Sequence, residues 1–245
     1  MKQTVLPALL APFALSACVT LGPAAPPAPL PDLSAPLPAP DPALSPQVAA
    51  RNFGQVVARM EPVAERECRT RLRGGNCDFQ IVVDTAAGAP ANAYQTRDAT
   101  GRPVIAFTLA LIADARNQDE LAFVMGHEAA HHILQHIPRS EQTAAIGGTL
   151  TGALAAALGG DPTAIRTAQD LGAAVGARSY SKDYELEADE LGTVLTWQAG
   201  FDPERGAAFF SRIPDPGDSF LGTHPPNAQR IAIVRQTLAN LRAGL

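Results

Sequence analysis

The stretch NQDELAFVMGHEAAHHILQHI, residues 117–137, decides how this chain is read. Leu121, Val124, Met125, Ile133, Leu134 and Ile137 recur at helical spacing and Pro138 stops the pattern, so one helix is expected from Asn117 to Ile137. On it stands His127-Glu128-Ala129-Ala130-His131. Histidines four apart differ by about 40° around a helix, so both imidazoles can converge on one ion while Glu128 reaches a water on it.

Zinc suits two nitrogens plus a third protein ligand, because one position is left for a water whose pKa falls to about 7. The five-residue pattern is only moderately specific, so a third ligand is needed. The metzincin solution would need glycine at 134 and histidine at 137, where Leu134 and Ile137 stand, so that class is excluded. His132 and His136 are expected to be structural or solvated, since they lie about 100° and 140° around the helix from His131. Downstream, Tyr180 to Asp189 opens another helix that ends near Gly200. Glu185 and Asp189 share a face, so Glu185 can complete the zinc shell while Asp189 accepts from a ligating imidazole. Glu187 points to the far side, about 200° away. The alternative for this stretch is a solvated acidic helix start, where carboxylates are favoured in any case.

The 245 residues carry 19 basic and 24 acidic side chains, a formal charge of −5. That balance gives no electrostatic reason to expect nucleic acid as a partner. Residues 21–50 hold ten of the 22 prolines and no helix or strand periodicity, the mark of an extended tether. Ahead of it, Met1-Lys2, an apolar run from Val5 to Leu15 and then Leu15-Ser16-Ala17-Cys18 form a secretory signal too short to span a membrane. The tetrapeptide resembles the bacterial lipobox, which implies cleavage after residue 17 and a lipid on Cys18. The alternative is an ordinary signal peptide. Val19, in place of an aspartate, favours the outer membrane. The expected organisation is a signal peptide at 1–17, a lipidated tether at 18–50 and one folded domain at 51–245.

With Cys18 lipidated, Cys68 and Cys77 remain as a pair in an oxidising compartment, and Gly74-Gly75-Asn76 can turn the chain between them, so a disulfide is expected. The alternative is two free thiols or half of a metal site, which lacks further cysteines to complete it. Residues 48–60 and 62–72 read as helices, with Pro62 starting the second, and Phe79 to Asp84 as a strand. Ala93–Thr96 and Arg102–Thr108 flank the turn Asp98-Ala99-Thr100-Gly101 as a hairpin. Gln142 to Gly160 carries no charge, and Ile146, Leu150, Leu154 and Leu158 form one aliphatic stripe backed by glycine and alanine. That pattern favours a helix buried in the domain, placed to cover or gate the site, over one touching a membrane.

Three motifs in order, His127-Glu128-Ala129-Ala130-His131, Glu185-Leu186-Glu187-Ala188-Asp189, and Thr223-His224-Pro225-Pro226 with Arg230 beyond, give a resemblance over residues 48–242. The chain resembles the gluzincin zinc metallopeptidase family that includes HtpX, the Oma-type quality-control proteases, the CAAX prenyl endopeptidases and the periplasmic BepA- and LoiP-like enzymes. The short LoiP-like lipoprotein members are the nearest in plan, since neither transmembrane hairpins nor a tandem-repeat domain accompany the core. Lys182 departs from the family's usual arginine.

The resemblance implies a mostly helical α+β zincin-type domain with a small sheet beside the His-Glu-x-x-His helix. It implies one Zn2+ per chain held by His127, His131 and Glu185, with Glu128 as general base. His224 would assist the oxyanion or ligate the metal in a latent state, and Asp189 and Arg230 would support the ligands. Asn92-Ala93-Tyr94 resembles the family's substrate-side strand. The expected function is a zinc metalloendopeptidase of the bacterial envelope, lipid-anchored and facing the periplasm, that cuts misfolded or unfolded envelope proteins. The alternative is a zinc-stabilised lipoprotein with a latent site that acts as a chaperone or scaffold in outer-membrane protein assembly.

Overall fold

The first helix starts at Ser45, whose hydroxyl accepts from the Val48 amide, and at Pro46, whose missing N–H costs nothing in a first turn. The computed structural model describes residues 35, 37–178, 181–213 and 225–245. Helix α1 (Pro46–Arg71) is continuous, where two pieces broken at Pro62 were expected. An interior proline costs about 3 kcal/mol. Val56, Met60, Val63, Ala64 and Cys68 form one buried face on both sides of Pro62, and burial at about 1.5–3 kcal/mol for a large apolar side chain outweighs that cost. Contacts reach back past residue 51: the Asp41 carboxylate accepts from Asn117 Nδ2 at 2.8 Å and pairs with Arg205 at 2.6 Å.

A disulfide joins Cys68 in the last turns of α1 to Cys77, with Cα atoms 5.7 Å apart and both residues buried. Gly74, at φ +77°, reverses the chain between them. Strands β1 (Gln80–Asp84), β2 (Ala93–Arg97) and β3 (Pro103–Thr108) form a sheet in the order β1-β3-β2. β1 pairs parallel to β3 and β2 antiparallel. The β2–β3 hairpin closes as expected, because Asp98 Oδ1 accepts from the amides of Thr100 and Arg102, and Gly101 takes φ +83°.

Thr108 caps α2 (Leu109–Asp114), and Asn117 caps α3 (Gln118–Ile133) by accepting from the Glu120 amide at 3.0 Å. Helix α3 ends four residues before Ile137, the expected end. Gln135 adopts the left-handed conformation (φ 58°, ψ 39°), and α4 (His136–Ala157) begins directly after it. Pro138 therefore sits in the first turn of α4, where proline is tolerated, and does not terminate α3. Helices α5 (Pro162–Arg178), α6 (Ser181–Gln198), α7 (Pro203–Ala207), a 3-10 turn (Ala208–Ser211) and α8 (Asn227–Arg242) complete a mostly helical α+β domain. The core gathers Phe79, Ile105, Phe107, Leu121, Met125 and Leu195 between α1, the sheet, α3 and α6.

The uncharged segment departs from expectation. Helix α4 packs on α5 through its small residues: a Cβ on Gly147 would stand 2.2 Å from the Gly172 carbonyl oxygen, and one on Gly176 2.3 Å from that of Thr143. Thr151 Oγ1 donates across the pair to the Ala168 carbonyl at 2.6 Å. The aliphatic stripe faces outward, with Ile146, Leu150, Leu154 and Leu158 between 52% and 79% exposed. Backbone-to-backbone approach requires the glycine face, so the larger side chains are left outside. Among the described residues, no helix is long and apolar enough to cross a membrane.

Candidate metal centre

Helices α3 and α6 cross at Gly126 and Gly192, whose backbones touch. The contact places His127, one residue along α3, against Glu185 and Asp189 on α6. His127 Nε2 and His131 Nε2 stand 3.1 Å apart; Glu185 lies 3.5 Å from the first and 3.3 Å from the second. These three side chains form the one group of His, Cys, Asp or Glu among the described residues with ligand atoms mutually within 4.8 Å. Two ligands bound at about 2.0–2.1 Å to a tetrahedral ion stand about 3.3–3.4 Å apart, so the observed spacing fits a small divalent metal.

The hydrogen bonds around His127 fix which nitrogen faces that centre. Asp189 is fully buried, and its Oδ1 accepts the proton of His127 Nδ1 at 2.9 Å. Arg230, from α8, donates to both oxygens of Asp189 at 2.7 and 2.8 Å and lies over the Phe210 ring at 4.0 Å. With Nδ1–H committed to Asp189, Nε2 is the nitrogen that faces the centre and whose lone pair a metal would take in place of a proton. Burial alone would lower the His127 pKa. The hydrogen bonds to Asp189 and Glu185 override it and raise the pKa to about 10, so this pocket favours positive charge. Two imidazole nitrogens and a carboxylate oxygen are the donor set that zinc prefers, and the residues fit the ion.

His136 and Glu187, expected to point away from the site, lie against it. The left-handed Gln135 resets the helical phase, so the expected 140° no longer applies. His136 is 4% exposed, and its Nδ1 stands 2.8 Å from His131 Nδ1. Its Nε2 lies 3.1 Å from Glu187, and Arg139 donates to both Glu187 oxygens at 2.6 and 3.3 Å. The His136 ring stacks on Tyr184, centroids 4.6 Å apart and planes at 10°. Burial, followed by the nearby His131, lowers the His136 pKa to about 4, so this ring is neutral. His132 is structural: its Nε2–H reaches the Asn76 carbonyl at 2.7 Å and its ring meets Phe79 edge-on.

Glu128 lines a cavity of about 520 Å³ beside His127, His131 and Glu185. One wall is the sheet's edge strand β2, including the expected Ala93 and Tyr94 with Asn92 just before it. Leu111, Phe123, Phe209, Phe210 and Ile213 make the apolar wall. From α4 only Ile137 reaches the cavity, so residues 142–160 do not cover it. Cys18 and His224 lie outside the described residues.

Residues 50–238 match the family described as Peptidase family M48. The chain is 34% identical over 147 residues to a putative beta-barrel assembly-enhancing protease of Vibrio cholerae and 27% identical over 146 residues to the beta-barrel assembly-enhancing protease of Escherichia coli K12. Each alignment covers 54% of this chain and 30% of the relative. Metalloprotease LoiP of Escherichia coli K12 is 27% identical over 134 residues, covering 52% of this chain and 53% of that protein. The chain thus spans about a third of the first two relatives and about half of the third.

Proposed function

This chain belongs to peptidase family M48, and from that premise we propose that it is a zinc-dependent endopeptidase of the bacterial envelope that cuts unfolded or misfolded proteins. The observation that carries the reading is the convergence of His127 Nε2, His131 Nε2 and Glu185 beside Glu128, in a cavity walled by the sheet's edge strand β2. His127, His131 and Glu185 would hold the ion. Once bound, the metal supplies Lewis acidity toward a scissile carbonyl and acidifies a water. Glu128 takes the proton of the attacking water and returns it to the leaving amine. The edge of β2 at Asn92, Ala93 and Tyr94 pairs with an extended peptide and sets its register, and the apolar wall accepts a side chain and excludes water. His224 donates to the oxyanion.

Cleavage after residue 17 leaves a lipid on Cys18 that anchors the chain to the outer membrane facing the periplasm, and the proline-rich tether expected at 18–50 is shortened by the segment from Asp41 that packs on the domain. Relatives named beta-barrel assembly-enhancing protease support substrates among envelope proteins. The test is digestion of casein and of an unfolded outer-membrane protein, with and without a chelator. Wild type cleaves and loses cleavage with its metal, while Glu128→Gln retains zinc and cleaves nothing. A Glu128→Gln variant as fast as wild type overturns the assignment.

A further inference from the structure

His127 is oriented by Asp189 and Arg230. We infer that His131 is oriented by a second relay, His136–Glu187–Arg139, which fixes its tautomer and with it the metal affinity of the site. This rests on the metal-site reading above.

Two bare nitrogens cannot hydrogen-bond, so the 2.8 Å contact between His131 Nδ1 and His136 Nδ1 contains one proton. Glu187 decides whose it is. Its carboxylate, gripped by Arg139, accepts only, so His136 Nε2 must carry the hydrogen at the 3.1 Å contact. With Nε2–H committed to Glu187, a second proton on Nδ1 would make this buried ring a cation next to Arg139, so Nδ1 is bare and takes the proton of His131 Nδ1. His131 Nε2 is left with its lone pair aimed at His127 and Glu185. Were the protons reversed, His131 would present an N–H to the centre and could not ligate. The ring of His136 cannot swing to escape this choice, since Tyr184 stacks on one face and the residue is buried. Arg139 in turn lies over the same Tyr184 ring, 4.3 Å from its centroid, so the aromatic residue aligns both ends of the relay. The two imidazole ligands thus receive their tautomers from separate carboxylate–arginine pairs: Asp189 with Arg230, and Glu187 with Arg139.

These are positioning residues, and outer-shell partners of this kind are worth roughly 10- to 100-fold in metal affinity. Glu187→Gln keeps the shape and can accept from Arg139, yet its amide can donate to His136 Nε2 and so favours the reversed proton order. His136→Phe keeps the stack on Tyr184 and removes the acceptor. The measurement is zinc affinity of the full chain by competition with a chromophoric chelator, alongside the visible spectrum of the Co2+-loaded protein and the thermal transition of the chelated protein.

The expected result is a 10- to 100-fold weaker zinc affinity in both variants, with a perturbed Co2+ ligand-field band and a chelated transition in Glu187→Gln close to wild type. Zinc affinity of Glu187→Gln within about threefold of wild type overturns the relay, as does an affinity loss fully matched by loss of the chelated fold. Failure of wild type itself to bind zinc overturns the metal-site reading and the relay with it.

Discussion

Gly126 and Gly192 meet where α3 crosses α6: a Cβ on Gly126 would stand 2.8 Å from the Gly192 carbonyl oxygen, and one on Gly192 2.9 Å from the His127 amide nitrogen. Both obstacles are backbone, so no side-chain rotation relieves them. His127 follows Gly126 directly and Glu185 stands seven residues before Gly192, about two turns along α6, so the spacing of these two side chains depends on the crossing.

Gly192→Ala must therefore push α6 away from α3. Overpacking of this kind costs about 1–3 kcal/mol. The displacement acts directly on ligands whose atoms stand 3.5 Å apart, so zinc affinity should fall at least tenfold. Thermal unfolding with chelator separates the packing cost from the metal loss. An unchanged zinc affinity would mean that the helices do not set the ligand spacing.

The Asp189–Arg230 pair supports a sharper expectation. Asp189→Leu removes the bidentate partner of the buried Arg230 guanidinium and leaves it only Glu185, 3.7 Å away, and breaking a buried pair costs up to about 3–5 kcal/mol. Asp189→Leu combined with Arg230→Met removes both charges and should recover much of that stability in chemical denaturation. It should not recover zinc binding, because His127 Nδ1–H still lacks its acceptor. Recovery of both would assign the pair to stability alone.

How much of this was legible in the sequence follows from where helical phase holds. Within one helix the angles are fixed, so His127 with His131, and Glu185 with Asp189, could be placed on shared faces before any fold was known. His136 could not, because one glutamine in a left-handed conformation carries no sequence signal, yet it turns the next helix onto the site. Pro62 misled in the other direction: a proline is ordinarily a boundary, but the buried face of α1 continues through it. In α4 the aliphatic spacing suggested a buried stripe, whereas the glycines on the opposite face make the closer contact. The signal for that outcome was the pair of glycines at 172 and 176, which face Gly147 and Thr143 on α4.

A pH dependence follows for the metal-free protein. His127 is held at about 10, against about 6.5 in an unfolded chain, by Asp189 and Glu185 acting against its burial, with Arg230 and His131 also facing it. A raised folded pKa stabilises the fold fully below the unfolded value, and the contribution is lost as pH rises through the folded value. The melting temperature of chelated protein should fall between about pH 6.5 and 10 by more in wild type than in His127→Gln. Parallel curves for the two proteins would rule out His127 as the source.

The α4–α5 pair gives the reverse of what hydrophobicity alone would suggest. Leu154 is 61% exposed, so Leu154→Gln removes little buried surface and should shift stability by less than about 0.5 kcal/mol. Gly172 faces α4, where a Cβ would stand 2.1 Å from Thr151 Oγ1 and 2.4 Å from the Gly147 carbonyl oxygen. Gly172→Val must separate the helices and break the Thr151 hydrogen bond to Ala168, so it should open α4 and α5 to rapid amide exchange. The cavity draws only Ile137 from α4, so zinc affinity should stay within about threefold of wild type. Hydrogen exchange and zinc titration on the same sample test both halves. Lost zinc affinity in Gly172→Val would show that the hairpin supports the metal centre after all.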